Sequence, residues 1–156
     1  MRLIAEPLTA EAFAPFGEVL AAPAAPGRTY IEAALANRRP GAAPSLSFTH
    51  KLPSALPLVS TTMERHQFSS QSFIPMQAGR WLAIVAPHAA AGGPDMTRAR
   101  AFLAQPDQGV TYAADTWHHP FTVIEQPARF AIVMWKDGGD ADDEFIDVDR
   151  FQVVLA

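Results

Sequence analysis

Two short polar clusters carry three of the chain's five histidines. The first is Glu64-Arg65-His66, with Gln71 five residues past the histidine. The second, about fifty residues later, is Trp117-His118-His119-Pro120. In an extended chain residues two apart share a face, so Glu64 and His66 point together and Arg65 points away. His118 and His119 have opposite parity, so at most one of them joins a common site unless a bulge intervenes. If the Ser69-Ser70 turn is a tight hairpin, Gln71 returns beside His66. A glutamate, a glutamine and histidine nitrogens converging at one place form an N/O donor set for a borderline divalent ion, nickel, zinc, iron, copper or manganese. Imidazoles also titrate near neutral pH, where general acid–base work is done. Taken singly, each cluster has a plainer reading. Glu-x-His pairs are common on strands, and Trp117 can fill a core while the histidines bond backbone groups. The case for a site rests on the two clusters meeting.

Such a meeting requires strands. Leu8 to Ala14 reads as one short helix, with Thr9 as N-cap, Glu11 in the first turn and Leu8 stapled onto Phe13. Pro15 and Gly17 end it, and Glu18-Val19-Leu20 is extended. Ala21 to Gly27 is a loop, and Ile31 to Asn37 offers at most one helical turn before Pro40-Gly41. From Ser45 the pattern turns to strands. Ser45–His50 alternates with a period of two, Thr61–Phe68 and Gln71–Pro75 flank the Ser69-Ser70 turn, and Arg80–Ala86 is an apolar run of the kind covered on both faces. Arg98–Ala104, Gly109–Tyr112, Phe121–Ile124, Arg129–Trp135 and Phe151–Leu155 follow, each bounded by turn residues. The acidic stretch Asp140–Glu144 reads as a solvated loop. Seven or more short strands, with 14 prolines at edges and turns, predict an all-β sandwich or barrel with a short N-terminal helix.

At 156 residues the chain fits one domain, spanning 1–156, with a sizeable core. A net charge of −4 and no Lys/Arg-rich stripe argue against a nucleic-acid partner. No apolar run is long enough to span a membrane, and Met1 to Pro7 lacks the apolar core of a signal peptide. With no cysteine there is no disulfide framework, thiolate zinc or cysteine nucleophile. A cytoplasmic protein acting on a small molecule is the expectation.

Glu64-x-His66-x4-Gln71 resembles a degenerate first cupin motif, and Asp115-Thr116-Trp117-His118 resembles the second. Longer strings narrow the match. Met63-Glu64-Arg65-His66, Gln71 to Met76, Arg100-Ala101-Phe102, Gln108-Gly109-Val110-x-Tyr112 and Trp117 to Pro120 resemble, in this order, the ureidoglycolate lyases of allantoin degradation. Leu8 to Phe13 and Phe16-Gly17-Glu18-Val19 resemble that family's N-terminus. The chain departs from the family pattern at Ile31–Pro40 and at Trp135-Lys136-Asp137-Gly138-Gly139.

The resemblance implies a cupin-type β-barrel (jelly roll), a homodimer, a divalent metal usually given as nickel, and cleavage of ureidoglycolate to glyoxylate and urea. With metal, it implies His66, Gln71, His118 and Glu64 as ligands, and His119 or a hydroxide as base. Without metal, His66 and His118 would be base and acid, and Lys136 or an arginine would hold the carboxylate. Lys136 shares a face with Phe130, Ile132 and Met134, so it either caps the barrel mouth or is a solvated strand end. Two rivals stand beside the lyase. One is a cupin that binds a small acid or sugar without turnover; the other is a different cupin enzyme, such as an isomerase.

Overall fold

The period-two stretches of the sequence become strands, and the computed structural model, which describes all of residues 1–156, divides them between two sheets. In chain order they begin with β1 (Arg2–Pro7), the helix α1 (Ala10–Phe13), β2 (Gly17–Leu20), β3 (Ala43–Lys51) and β4 (Leu58–His66). Next come β5 (Gln71–Gln77), β6 (Trp81–Ala86), β7 (Arg100–Ala104) and β8 (Gly109–Tyr112). The chain ends with β9 (Trp117–His118), β10 (Thr122–Val123), β11 (Ala128–Lys136) and β12 (Asp143–Leu155). One sheet runs β10-β6-β7-β1-β12-β4-β9, the other β2-β8-β5-β11-β3. Because β9 also pairs with β6, six strands of the larger sheet close into a ring. The strand pattern left a sandwich and a barrel open, and a closed all-β barrel, as the resemblance implies, is the architecture observed.

Two cores follow from this arrangement. Met63, Leu82, Ile84, Trp117 and Phe151 belong to the cluster formed by the ring's strands together with Ile124. Phe73, Val110, Tyr112 and Phe130 of the five-stranded sheet meet Trp81, Ala83, Val85 and Phe102 of the larger one in the other cluster. β6 lies between the two, so its six residues are all buried and its sequence reads as a continuous apolar run. Each fully buried aromatic here contributes about 1.5–3 kcal/mol relative to exposure.

The helix forms as its residues dictate: Thr9 Oγ1 accepts from the Ala12 N–H, and Phe13 is fully buried beside Leu8. Three segments differ from expectation. β1 was not legible, because its pairing with β12 and β7 is parallel and remote in sequence. Residues 31–37 make no helical turn, since their amides are taken elsewhere. Ala34 donates to Glu18 Oε2 and Ala36 to Ser70 Oγ. Ser69-Ser70 is not a hairpin turn: β4 and β5 lie in different sheets, and the chain crosses between them. Gly17, opposite Tyr112 at φ +150°, has no room for a Cβ, which would sit inside the Thr111 carbonyl. β2 therefore packs directly along β8 and fixes where Tyr112 stands.

Candidate active site

β4 passes Glu64 and His66 to the face turned toward the second sheet, while Met63, of opposite parity, enters the ring core. Its two neighbours complete the geometry. On one side β9 sets His118 directly opposite Glu64; on the other β12 sets Asp143 directly opposite His66. Both imidazoles are buried, His118 at 1% exposure, with ring centroids 5.6 Å apart. One ligand-type atom from each of Glu64, His66 and His118 lies within 4.8 Å of the others.

Hydrogen bonds settle which nitrogens face inward. His66 Nδ1 donates to Asp143 Oδ1 at 2.8 Å, and His118 Nδ1 donates to the Thr116 carbonyl at 2.8 Å. Both acceptors require an N–H, so in the neutral rings each Nε2 carries a lone pair. Those two Nε2 atoms, with Gln71 Oε1, are buried and have no hydrogen-bond partner. His118 Nε2 stands 3.4 Å from Glu64 Oε1 without hydrogen-bond geometry. Buried acceptors facing one another are costly unless a cation or a proton-bearing group lies between them. The donor set therefore fits a divalent ion: two imidazoles held by outer partners, a carboxylate and an amide oxygen.

The second sheet supplies the opposite wall. Gln71 begins β5 on the face shared with Phe73, and its Nε2 approaches Met134 Sδ at 3.9 Å. Tyr112 is the cross-strand partner of Gln71, and its ring stacks on His118 with centroids 4.2 Å apart at 13°. Burial, then repulsion from His118, lowers the His66 pKa, against the opposing pull of Asp143 and Glu64. The ring is thus kept neutral and able to offer its lone pair. Burial and the Glu64 charge raise the Tyr112 pKa, so it stays a phenol.

The remaining candidates lie elsewhere. His119 points to the ring side, edge-on to Phe151, with Nδ1 donating to the Pro120 carbonyl and Nε2 2.9 Å from Ser60 Oγ. Both its nitrogens are occupied, so it is not placed to serve as base. Lys136 is exposed at the end of β11. Arg65 bonds Glu144 and Asp115 and lies over Trp117 on the opposite face of β4, as parity predicts. His50 is exposed on β3, and His88 contacts the Asp115 carbonyl.

The acidic stretch is not a solvated loop. Asp142 is buried, accepts from the Phe68 and Ser69 amides and pairs with Arg39 at 3.1 Å; Asp143 holds His66; Glu144 holds Arg65. Sequence reasoning missed Asp143 and Tyr112. The register that places β12 beside β4 is not visible in either strand alone, and nothing in the period of β8 marks Tyr112 apart from a core residue. Cavities of 390 and 530 Å³ open at Leu20–Leu35 and near Arg38 and Arg98, and neither is lined by His66 or His118.

The family model described as ureidoglycolate lyase matches residues 1–154. The chain belongs to the ureidoglycolate lyase family. Similar proteins bearing that name include one from Chelativorans sp., 37% identical across 99% of this chain and 97% of the relative. Another, from Brucella melitensis biotype 2, is 39% identical over 84% of this chain and 81% of the relative. A third, from Burkholderia cepacia, is 40% identical over 82% and 76%. Among solved structures, a dTDP sugar isomerase from Desulfovibrio desulfuricans aligns with a TM-score of 0.52 over 86% of this chain and 83% of its own, at 14% identity. That likeness is one of fold.

Proposed function

We propose that this protein cleaves ureidoglycolate to glyoxylate and urea, in allantoin breakdown. The observation that carries the reading is the pair of buried, unpartnered Nε2 atoms beside Glu64 in a member of this family. His66 Nε2, His118 Nε2, Gln71 Oε1 and one Glu64 oxygen form the set that would hold a divalent ion, nickel by family resemblance. Such an ion, when bound, acidifies a hydroxyl and stabilises developing negative charge on oxygen.

Ureidoglycolate carries hydroxyl, carboxylate and a urea nitrogen on one carbon. Cleavage moves one proton from oxygen to nitrogen. The second Glu64 oxygen accepts the hydroxyl proton, the C–N bond breaks with its electron pair going to nitrogen, and Glu64 returns the proton to the departing urea. The burial of Glu64, His66 and His118 lowers the local dielectric and strengthens each of these interactions. Asp143 and the Thr116 carbonyl hold the imidazoles in register throughout.

A cytoplasmic location is part of this proposal; no helix is long and apolar enough to cross a membrane. Supporting a homodimer is β3, a nine-residue edge strand with Leu46 and Phe48 62% and 67% exposed.

Metal-stripped protein given ureidoglycolate tests the reading. Restoring nickel, manganese or zinc should release glyoxylate and urea in equal amounts. Ammonia in place of urea contradicts the reaction, and ligand stabilisation without turnover favours the binding protein over the lyase.

A further inference from the structure

Hydrogen-bond donors are scarce among the side chains around His66 and His118. Glu64, His66 Nε2 and His118 Nε2 lie close together as acceptors, and Gln71 Oε1 is likewise buried without a partner, its amide N–H turned to Met134 Sδ. These groups can hold a cation, but none of them donates a hydrogen bond to a substrate oxygen. Tyr112 is the exception. Its ring is stacked flat on His118, it stands cross-strand from Gln71, and only 3% of it is exposed. Its hydroxyl makes no hydrogen bond within the chain and is not among the sealed, unpartnered polar atoms, so it is free to meet a bound molecule. Phe13 and Phe73 flank the ring and leave it no alternative seat. Gly17, which tolerates no Cβ against Thr111, locks β8 in place behind it.

We propose that Tyr112 is a further catalytic residue, whose phenol donates a hydrogen bond to the substrate's hydroxyl oxygen as that oxygen loses its proton and becomes the glyoxylate carbonyl. The proposal rests on the lyase reading above. The Tyr112 O–H bond stays intact throughout: the migrating proton travels by Glu64, and the electron pair of the C–N bond leaves with urea. A donor placed where charge develops stabilises the transition state more than the bound substrate. The stacked ring has a second effect, because it holds the His118 imidazole plane.

Tyr112→Phe separates the two effects, since it keeps the ring and removes the hydroxyl. With nickel-loaded protein and ureidoglycolate, kcat should fall by about 100- to 1,000-fold with KM little changed, the range seen for loss of one oxyanion donor. Thermal midpoint and nickel stoichiometry should match wild type. A kcat within about threefold of wild type overturns the assignment, because a lost oxyanion donor costs far more. Wild-type protein that releases no glyoxylate overturns the lyase reading itself, and this assignment with it. Fluorotyrosine labelling gives a second readout that does not depend on the variant folding. The chain has two tyrosines, and Tyr30 is exposed. Added glyoxylate should shift the Tyr112 fluorine resonance and leave that of Tyr30 in place; an unmoved Tyr112 signal overturns the proposal.

Discussion

Asp143 and His66 sit directly opposite each other on β12 and β4, and the Asp143 carboxylate takes the His66 Nδ1–H at 2.8 Å. The strand pairing thus fixes the tautomer of a histidine whose other nitrogen faces the site. Asp143→Ala should weaken divalent-metal affinity by about 10- to 100-fold, the usual loss when the outer partner of a ligating histidine is removed. Asp143→Asn, which keeps an acceptor oxygen, should fall between. Isothermal titration of stripped protein with nickel reads both, and equal affinity in all three proteins would refute the orienting role.

Asp142, one residue earlier, acts on the fold. It is buried against the Phe68 and Ser69 amides and pairs with Arg39, which also bonds Asp137 and the Trp135 carbonyl. Asp142→Ala would leave two amides and a largely buried guanidinium short of an acceptor, at a cost of about 3–5 kcal/mol. The crossing from β4 to β5 loosens with it, so His66 and Gln71 lose their common register. Urea unfolding checks the magnitude; a loss below about 1 kcal/mol, the worth of a surface pair, would contradict this reading.

Stability should decline on mild acidification. Burial holds the pKa of His119 below the ordinary 6.5, and that of His66 likewise. As pH falls below 6.5, the unfolded chain binds protons that the folded chain does not, so unfolding is favoured until pH passes the folded value. Above 6.5 these groups add no slope. His119→Gln should flatten the fall in thermal midpoint between about pH 7 and 5 while leaving turnover largely intact, since His119 lies outside the site. An unchanged slope in that variant would remove His119 as a cause.

The sequence made part of this site readable. Parity alone aligned Glu64 with His66 and turned Arg65 away, because a strand's period is local. It could not choose between His118 and His119. That choice depends on which residue of a two-residue strand lands opposite Glu64, a fact of long-range pairing. The same holds for Asp142 and Asp143, which composition presents as a solvated acidic loop and β12–β4 register turns into supports. Gln71 was expected beside His66 through a hairpin at Ser69-Ser70, whereas the chain crosses between sheets there. β1 and the pinned segment 31–37 were illegible because their partners, β12, β7, Glu18 and Ser70, lie far along the chain.

His66 and His118, with Glu64 and Gln71, are the proposed catalytic centre, and histidine replacement tests that assignment most directly. Glyoxylate release from ureidoglycolate should be measured for wild type, His66→Ala and His118→Ala, each metal-reconstituted and shown folded by circular dichroism. Each variant should lose at least about 100- to 10,000-fold in turnover, the loss typical of a missing proton-transfer group. His50→Ala and His88→Ala should stay close to wild type. Near-wild-type turnover in folded His66→Ala or His118→Ala would contradict the assignment of this site.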